Sequence, residues 1–305
     1  MAENVIIIGS GPAGLSAAIY TAREGFSPLL ISGSISGGQL MLTTIVENMP
    51  GFPDGVQGPE LIEMMRKQAE KFGTRFVSED VIDVDFSARP FKIRTASKEY
   101  EAHTVIVATG ANPRILGIPS ETRFFGHGVS TCGTCDGPFF KNKDVIVVGG
   151  GDTAMEDSLF LARFCKSVTI VHRRGNFRAS KIMQDKVMSN PKIKVIWNTE
   201  ITEITGNASV TGVKLKDASG KATEMPIEGI FIAIGHMPNT KFLKGKLKLD
   251  ELGYVVTHDE VLTDVDGVYV AGDNLDRYYR QAGTASSSGI KAALRVREYI
   301  QKMDK

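Results

Sequence analysis

The sequence predicts an α/β protein: two Rossmann-like three-layer nucleotide-binding domains with antiparallel meanders, the second domain inserted in the first. Three observations support this. The run Val5-Ile6-Ile7-Ile8-Gly9-Ser10-Gly11-Pro12-Ala13-Gly14 recurs in pattern as Val145-Ile146-Val147-Val148-Gly149-Gly150-Gly151-Asp152-Thr153-Ala154. A second pair comes in the same order: Val105 to Gly110 closes on Ala-Thr-Gly, and Phe231 to Gly235 closes on Ala-Ile-Gly. The chain has 305 residues, enough for about two domains of roughly 150 residues each. Two motifs repeated in order indicate duplication of a domain rather than a short-period solenoid.

The elements come in turn. Continuous apolar runs at 4–8, 28–31, 144–148 and 167–171 read as strands buried on both faces of a parallel sheet. The small-residue stretches behind the glycines read as helices over about 13–24 and 152–164, and a Glu-, Met-, Lys- and Gln-rich segment predicts another over 58–72. Alternation of apolar and polar residues with turn signals over 75–107 predicts an antiparallel meander, and 193–234 reads the same way. After Pro238-Asn239 come Tyr254-Val255-Val256, then Val268 to Asp273, then a final helix over about 283–302. The late Ala271-Gly272-Asp273 turn reads as a return to the first domain. The expected bounds are therefore 1–115 with 246–305 for a split domain, and 116–245 for the insert.

Hydrophobic residues are 42% and charged residues 23% of the chain, ordinary values for a globular protein. The net charge of +1 gives no reason to expect a nucleic-acid partner or a membrane surface. No leader, lipidation signal or membrane-length apolar stretch is evident, so a cytoplasmic location is expected. Three cysteines cannot form a disulfide framework in a chain of this length.

The two glycine loops are alike in form, but the strand ends beyond them differ. A glycine turn between strand and helix lets backbone N–H groups approach a pyrophosphate, and the helix N-terminus adds partial positive charge. In the first loop Gly9 permits the turn, Gly11 the approach and Gly14 the packing of helix on strand. An acid at the end of the next strand would bond a ribose 2′-hydroxyl. The second unit instead has Val171-His172-Arg173-Arg174 with Arg178 beyond, which suits a 2′-phosphate and so NADPH. The first unit has Leu30-Ile31-Ser32-Gly33 and no acid, which leaves its ligand open.

Between the loops lies Ser130-Thr131-Cys132-Gly133-Thr134-Cys135-Asp136. A single C-x-x-C in an intracellular α/β chain reads as redox chemistry, and such a motif at a helix start favours thiolate. A zinc site built from these cysteines with His127 and His103 would lack a second paired ligand set. A non-enzymatic nucleotide-binding scaffold would have no use for the dithiol. Cys165 reads as a buried structural thiol, and Trp197, Met183 and Met188 as packing.

These motifs together resemble the low-molecular-weight thioredoxin reductases over essentially the whole chain. The likeness rests on the opening Gly-Ser-Gly-Pro-Ala-Gly, Gly37-Gly38-Gln39-Leu40, Glu47-Asn48-Met49-Pro50-Gly51, Ala108-Thr109-Gly110, and the Cys132 to Gly137 run. It continues through Gly149 to Ala154, His172-Arg173-Arg174 with Arg178, Gly235-His236-Met237-Pro238-Asn239, Ala271-Gly272-Asp273 and Arg280-Gln281-Ala282. The resemblance implies a homodimer with FAD in the split domain and NADPH in the insert. Hydride would pass from NADPH to FAD, then to the Cys132–Cys135 disulfide. Thiol–disulfide exchange would carry it on to oxidised thioredoxin or a thioredoxin-like protein, with rotation of the domains between half-reactions.

For FAD the resemblance implies Gly9, Ser10, Gly11, Pro12, Ala13, Ser32, Gly33, Gly38, Gln39, Leu40, Asn48, Val81, Ala108, Thr109, Gly110, Gly272, Asp273, Arg280, Gln281 and Ala282. For NADPH it implies Gly149, Gly151, Asp152, Thr153, His172, Arg173, Arg174, Arg178, Ile234 and Gly235. No metal is implied. Cys135 would face the flavin, Cys132 would attack the partner, and Asp136 would serve as acid and base. Hinges are expected near Arg114–Gly117 and Lys241–Lys246. Gly133 stands where the family usually has alanine, Met49 where an aromatic is common, and His127 where an arginine is frequent. Gly133 is expected to loosen the turn, and His127 either bears on partner choice or is a surface-loop histidine. Another small disulfide protein or a low-molecular-weight disulfide is the alternative substrate. Relatives that reduce ferredoxin or oxygen lack the dithiol.

Overall fold

The computed structural model describes residues 2–43 and 45–303. The chain divides into two compact units, Met1–Asn112 with Met237–Lys305, and Pro113–His236.

The first unit opens with β1 (Glu3–Ile8), α1 (Pro12–Arg23) and β2 (Leu29–Ile31). A ribbon of β3 (Ile45–Val46) and β4 (Val56–Gln57) precedes α2 (Gly58–Lys71). Then come β5 (Arg75–Val77), β6 (Val81–Asp85), β7 (Phe91–Thr95) and β8 (Glu99–Val107), and β9 (Ala111–Pro113) reaches the crossing. Among the described residues the main sheet has seven strands, in the order β5-β2-β1-β8-β7-β6, with a late strand also on β8. Its parallel core has Ile6 opposite both Leu29 and Val105. Val5 and Ile7 enter one apolar cluster while Ile6 and Ile8 enter another. That is the physical reason for an unbroken apolar run: successive side chains point to opposite faces, and both faces are covered.

The second unit contains α3 (Pro119–Phe124), β10 (Val129–Ser130), α4 (Gly133–Asp136), β11 (Asp144–Val148), α5 (Asp152–Leu161) and β12 (Ser167–His172). It continues with α6 (Lys181–Met188), β13 (Ile193–Trp197), β14 (Thr199–Gly206), β15 (Val210–Asp217), β16 (Ala222–Pro226) and β17 (Gly229–Ile232). A parallel sheet runs β10-β17-β11-β12-β13, and β14-β15-β16 form a separate antiparallel sheet. The chain then passes through β18 (His236–Pro238) to β19 (Val268–Val270) and α7 (Ala282–Met303) in the first unit. There β19 pairs with β8, Val268 opposite Val105.

Each expected meander is in fact partly parallel. In 75–107, β5 joins β2 in parallel, and β8 pairs antiparallel with β7 by its first half only. In 193–234, β13 and β17 belong to the parallel sheet, leaving β14 to β16 as the meander. Alternation cannot separate these cases, because a strand edge is set by its partner and not by its own pattern. The return crossing falls at 236/237 rather than 245/246, because Leu243 and Leu247 belong to an apolar cluster of the first unit. The outward crossing falls at 112/113. Gly117 therefore lies inside the second unit, where buried Glu121 accepts the Leu116 and Gly117 N–H groups at 2.9 Å each.

Helices α1 and α7 pack closely: a Cβ on Gly289 would sit 2.0 Å from the Ala13 carbonyl oxygen. In the second unit Trp197 packs on Phe177 with ring centroids 4.3 Å apart and planes tilted by 50°, and Met183 packs on the same cluster. Met188 does not pack; it is 60% exposed at the end of α6. Cys165 is fully buried and free, and burial pushes its thiol up to about 11.

Candidate functional site

Cys132 and Cys135 form a disulfide, with Cα atoms 5.3 Å apart. Local geometry builds this turn. Strand β10 ends at Ser130, whose hydroxyl accepts the Cys132 N–H at 3.0 Å. Cys132 then takes the N-cap position of α4 in extended backbone. Its Sγ accepts the Cys135 N–H at 3.2 Å, and the Thr134 hydroxyl lies 3.4 Å away. A sulfur that receives a helix N-terminal N–H is one whose thiolate is stabilised once the bond opens. The two sulfurs are thus not equivalent. Asp136 closes the turn, its N–H on the Cys132 carbonyl at 3.2 Å. Burial raises the Asp136 carboxyl above its usual range, offset in part by the Ser130 hydroxyl. A raised carboxyl is what proton transfer near neutral pH requires. Among the described residues no group of three or more His, Cys, Asp or Glu is arranged to hold a metal.

The first glycine loop is a cradle in which only glycine fits at two places. A Cβ on Gly9 (φ 110°) would lie 2.3 Å from the Ala108 oxygen, and one on Gly14 2.0 Å from the Gly9 oxygen. Gly11 faces open space. No side chain caps α1, and Pro12 occupies its first turn, so the N–H groups of that turn are left for a ligand. Buried Ser10 ties the neighbouring segments together, donating to the Ser32 carbonyl at 2.9 Å and accepting the Gly37 N–H at 2.9 Å. Gly38 comes back over the loop, its added Cβ 3.5 Å from the Gly11 Cα. The Gln39 amide reaches Asn112 at 2.9 Å, Asn48 donates to Gln281 at 3.0 Å, and Thr109 donates to the Asn239 carbonyl at 2.8 Å. Leu40 is half-buried, Val81 begins β6, and Gly110 (φ 66°) ends the β8 turn.

Asp273 comes directly after Gly272, where an added Cβ would press on Ala13 at 2.9 Å. Burial first, then Asp276, pushes the Asp273 carboxyl up to about 7, with Arg280 opposing. Arg280 adopts φ 47° and Ala282 starts α7, with Gln281 between them. Two residues here had no sequence signal. Asn274, fully buried, donates to the Val107 carbonyl at 3.1 Å and leaves its Oδ1 without a partner. Asp80 accepts the Ser34 N–H at 2.9 Å, so a carboxylate stands beside Gly33 after all. It comes from the β5–β6 loop and not from the strand end, where a linear motif looks for it.

The second loop repeats the cradle. A Cβ on Gly149 would lie 2.4 Å from the Ala233 oxygen, while Gly151 faces open space. No side chain caps α5. Asp152 turns instead to Ser180, accepting its N–H at 2.9 Å and its hydroxyl at 2.8 Å, which holds the carboxyl below its usual range. Thr153 comes next in the first turn of α5, and Ile234-Gly235 close the β17 turn. The Arg178 N–H bonds the Gly150 carbonyl at 2.7 Å, folding the 173–180 segment onto the loop. Arg173, Arg174 and Arg178 are exposed and form no ion pair among the described residues.

His172 has a different place. It is 6% exposed, bonds the Asn176 carbonyl at 3.1 Å, and fills the space where a Gly150 side chain would stand. Burial, then the three arginines, lowers its pKa. It is a neutral packing ring beneath the loop. The expectation that it lines the ligand came from its place in the His-Arg-Arg run, which does not reveal which way a strand-end side chain points.

Two uncapped glycine cradles on one chain with a redox dithiol define a pyridine-nucleotide disulfide oxidoreductase. The family model for "Pyridine nucleotide-disulphide oxidoreductase" matches residues 3–289. A thioredoxin reductase of Rickettsia prowazekii (strain Madrid E) is 51% identical over 304 residues, 98% of each chain. Solved thioredoxin reductases from Giardia duodenalis and Streptococcus pyogenes MGAS5005 superpose with TM-scores of 0.94 and 0.93 at 40% and 39% identity, each over 98% of both chains. The chain belongs to the low-molecular-weight thioredoxin reductases, and it is an oxidoreductase that works through the Cys132–Cys135 pair.

Proposed function

We propose that the chain uses NADPH and FAD to reduce the disulfide of a thioredoxin or thioredoxin-like protein. The observation that carries this is the asymmetric disulfide, with Cys132 Sγ bonded by the Cys135 N–H on a chain that has two uncapped glycine cradles. The first cradle suits FAD. Gly11 is open, the N–H groups of the first turn of α1 are uncapped, and Asn274 Oδ1 is an acceptor awaiting a donor. Ser10, Ser32, Gly38, Gln39, Asn48, Asp273, Arg280 and Gln281 would complete its surroundings. The second cradle suits NADPH, with Gly151, Thr153, Arg173, Arg174 and Arg178 as its contacts. When bound, the two cofactors supply the hydride and electron-pair chemistry that renews the dithiol.

The chain's own residues perform the exchange. In the reduced form the Cys132 thiolate, favoured by the Cys135 N–H, attacks one sulfur of the partner disulfide and releases the other as a thiolate. Asp136 delivers the proton that this leaving thiolate takes up. Cys135 then gives its proton to the Asp136 carboxylate and attacks Cys132 Sγ in the mixed disulfide, displacing the second partner sulfur as a thiolate that takes its proton from water. The partner departs as a dithiol and the Cys132–Cys135 bond is restored. Rotation of one unit against the other between half-reactions, a homodimer and a cytoplasmic location belong to the same proposal. The buried free thiol of Cys165 agrees with a reducing compartment. No helix among the described residues is long and apolar enough to cross a membrane.

The test is a coupled assay with NADPH and the organism's thioredoxins, beside small disulfides. Bleaching of flavin absorbance by NADPH, followed by reduction of thioredoxin, is expected. A colourless protein, or reduction that survives in both Cys132→Ser and Cys135→Ser, would refute the proposal. Turnover with a small disulfide but no thioredoxin would move the substrate to the alternative class.

A further inference from the structure

Gly133 lies between the two cysteines, in α4, and its backbone does not require glycine. Its φ is not in the positive range, and it begins a helix. By helix propensity alone, alanine would be the better residue there. What excludes alanine is space. A Cβ on Gly133 would sit 2.5 Å from Asp157 Oδ1, 2.7 Å from its Cγ and 3.0 Å from its Cβ. Asp157 belongs to α5, which packs on α4, and is 8% exposed. A carboxyl is seldom buried without a specific reason, and buried carboxyls collect at functional sites. The missing methyl of Gly133 therefore does not loosen the turn. Its volume is occupied by the Asp157 carboxyl, set against the first residue after Cys132.

We propose that Asp157 is a positioning residue of the redox turn: its carboxyl fills the space left by Gly133, and the two residues together set the equilibrium between the Cys132–Cys135 disulfide and its dithiol. The proposal rests on the reductase reading of that dithiol. If ionised, a carboxyl packed against the residue between the two cysteines would disfavour negative charge on their sulfurs, opposing the Cys135 N–H and making the reduced form less stable. An alanine at 133 has to displace either Asp157 or the cysteine turn. Gly133 and Asp157 should accordingly vary as a pair, glycine with a carboxyl in this position and alanine with a smaller or differently directed side chain.

The test uses the flavin-loaded enzyme, with flavin absorbance as the check that each variant is folded. The oxidised turn takes two electrons from two glutathione molecules, giving the protein dithiol and one glutathione disulfide. The equilibrium is read by alkylation and mass spectrometry of the Cys132–Cys135 peptide. Asp157→Asn keeps the shape and removes the charge, and should shift the equilibrium at least three-fold toward the dithiol. Gly133→Ala should lower thioredoxin turnover at least ten-fold. The double variant Gly133→Ala with Asp157→Ala, which removes the two nearest clashing atoms, should recover at least three-fold of it. An unchanged equilibrium in Asp157→Asn would overturn the electrostatic part. Full activity in Gly133→Ala, or no recovery in the double variant, would overturn the pairing. An inactive wild type would instead refute the reductase reading.

Discussion

Removing one of the exposed arginines should weaken NADPH far more than NADH. Arg174→Ala is the simplest case. The 173–180 segment is fixed on the second glycine loop by the Arg178 N–H bond at 2.7 Å and the Asp152–Ser180 bonds at 2.9 and 2.8 Å. The backbone should therefore stay in place when one side chain is cut. None of the three guanidiniums has an ion-pair partner among the described residues, so no carboxylate is left stranded by the change. A hydrogen bond to a charged group contributes about 1.5–3 kcal/mol, and exposure reduces this to about 1–1.5 kcal/mol per arginine. At 1.4 kcal/mol per factor of ten, Arg174→Ala should raise the KM for NADPH about 5–12-fold. Replacing all three should raise it on the order of 100-fold or more, short of full additivity. The KM for NADH, which has no 2′-phosphate, should change less than about two-fold in the same variants. Steady-state kinetics with both nucleotides at two salt concentrations would measure this, and the NADPH advantage should shrink as salt rises. Equal losses for the two nucleotides, or a wild type that prefers NADH, would refute the assignment.

Other outcomes rest on single residues. Asp136→Asn should slow dithiol exchange with the partner by about 100-fold or more, as expected for loss of a general acid. Because burial raises the Asp136 carboxyl, wild-type exchange should fall as pH rises through that raised value, and the stopped-flow pH profile of the variant should be flat there. Asp273 titrates at about 7 in the fold, against 3.8 for an ordinary aspartate. Its folded pKa is raised, so its burial is tolerated below about pH 4 and becomes increasingly destabilising up to about pH 7. In nucleotide-stripped protein, Asp273→Asn should therefore raise Tm more at pH 8 than at pH 5; equal shifts at both would contradict the burial. Gly289→Ala brings a methyl to 2.0 Å from the Ala13 oxygen, and should cost about 3 kcal/mol, read as a lower denaturant midpoint.

Much of the site is legible in the sequence because its chemistry depends on short contiguous runs. Gly9 to Gly14 and Gly149 to Ala154 announce themselves because a close backbone approach excludes a side chain at Gly9, Gly14 and Gly149. Cys132 and Cys135 are three apart, so one helical turn both joins the sulfurs and aims the Cys135 N–H at Cys132. The arginine run is legible by its charge and its position after a strand. The residues that escaped are those that act from elsewhere in the chain. Asp80 supplies from another loop the carboxylate that the first strand end lacks, Asn274 is buried by contacts to β8, and Asp157 comes from α5 to fill the space beside Gly133.

Read along the chain alone, the residues already specify two glycine cradles, one redox pair and a basic strand end. Each is a local consequence of steric freedom, sulfur chemistry or charge. The remainder came from the fold. Strands β5, β13 and β17 join parallel sheets because strand partners come from distant segments. His172 turns inward beneath Gly150 while its arginine neighbours stay in solvent. The space beside Gly133 is filled because α5 packs across α4, a contact between residues 24 positions apart that no local pattern encodes.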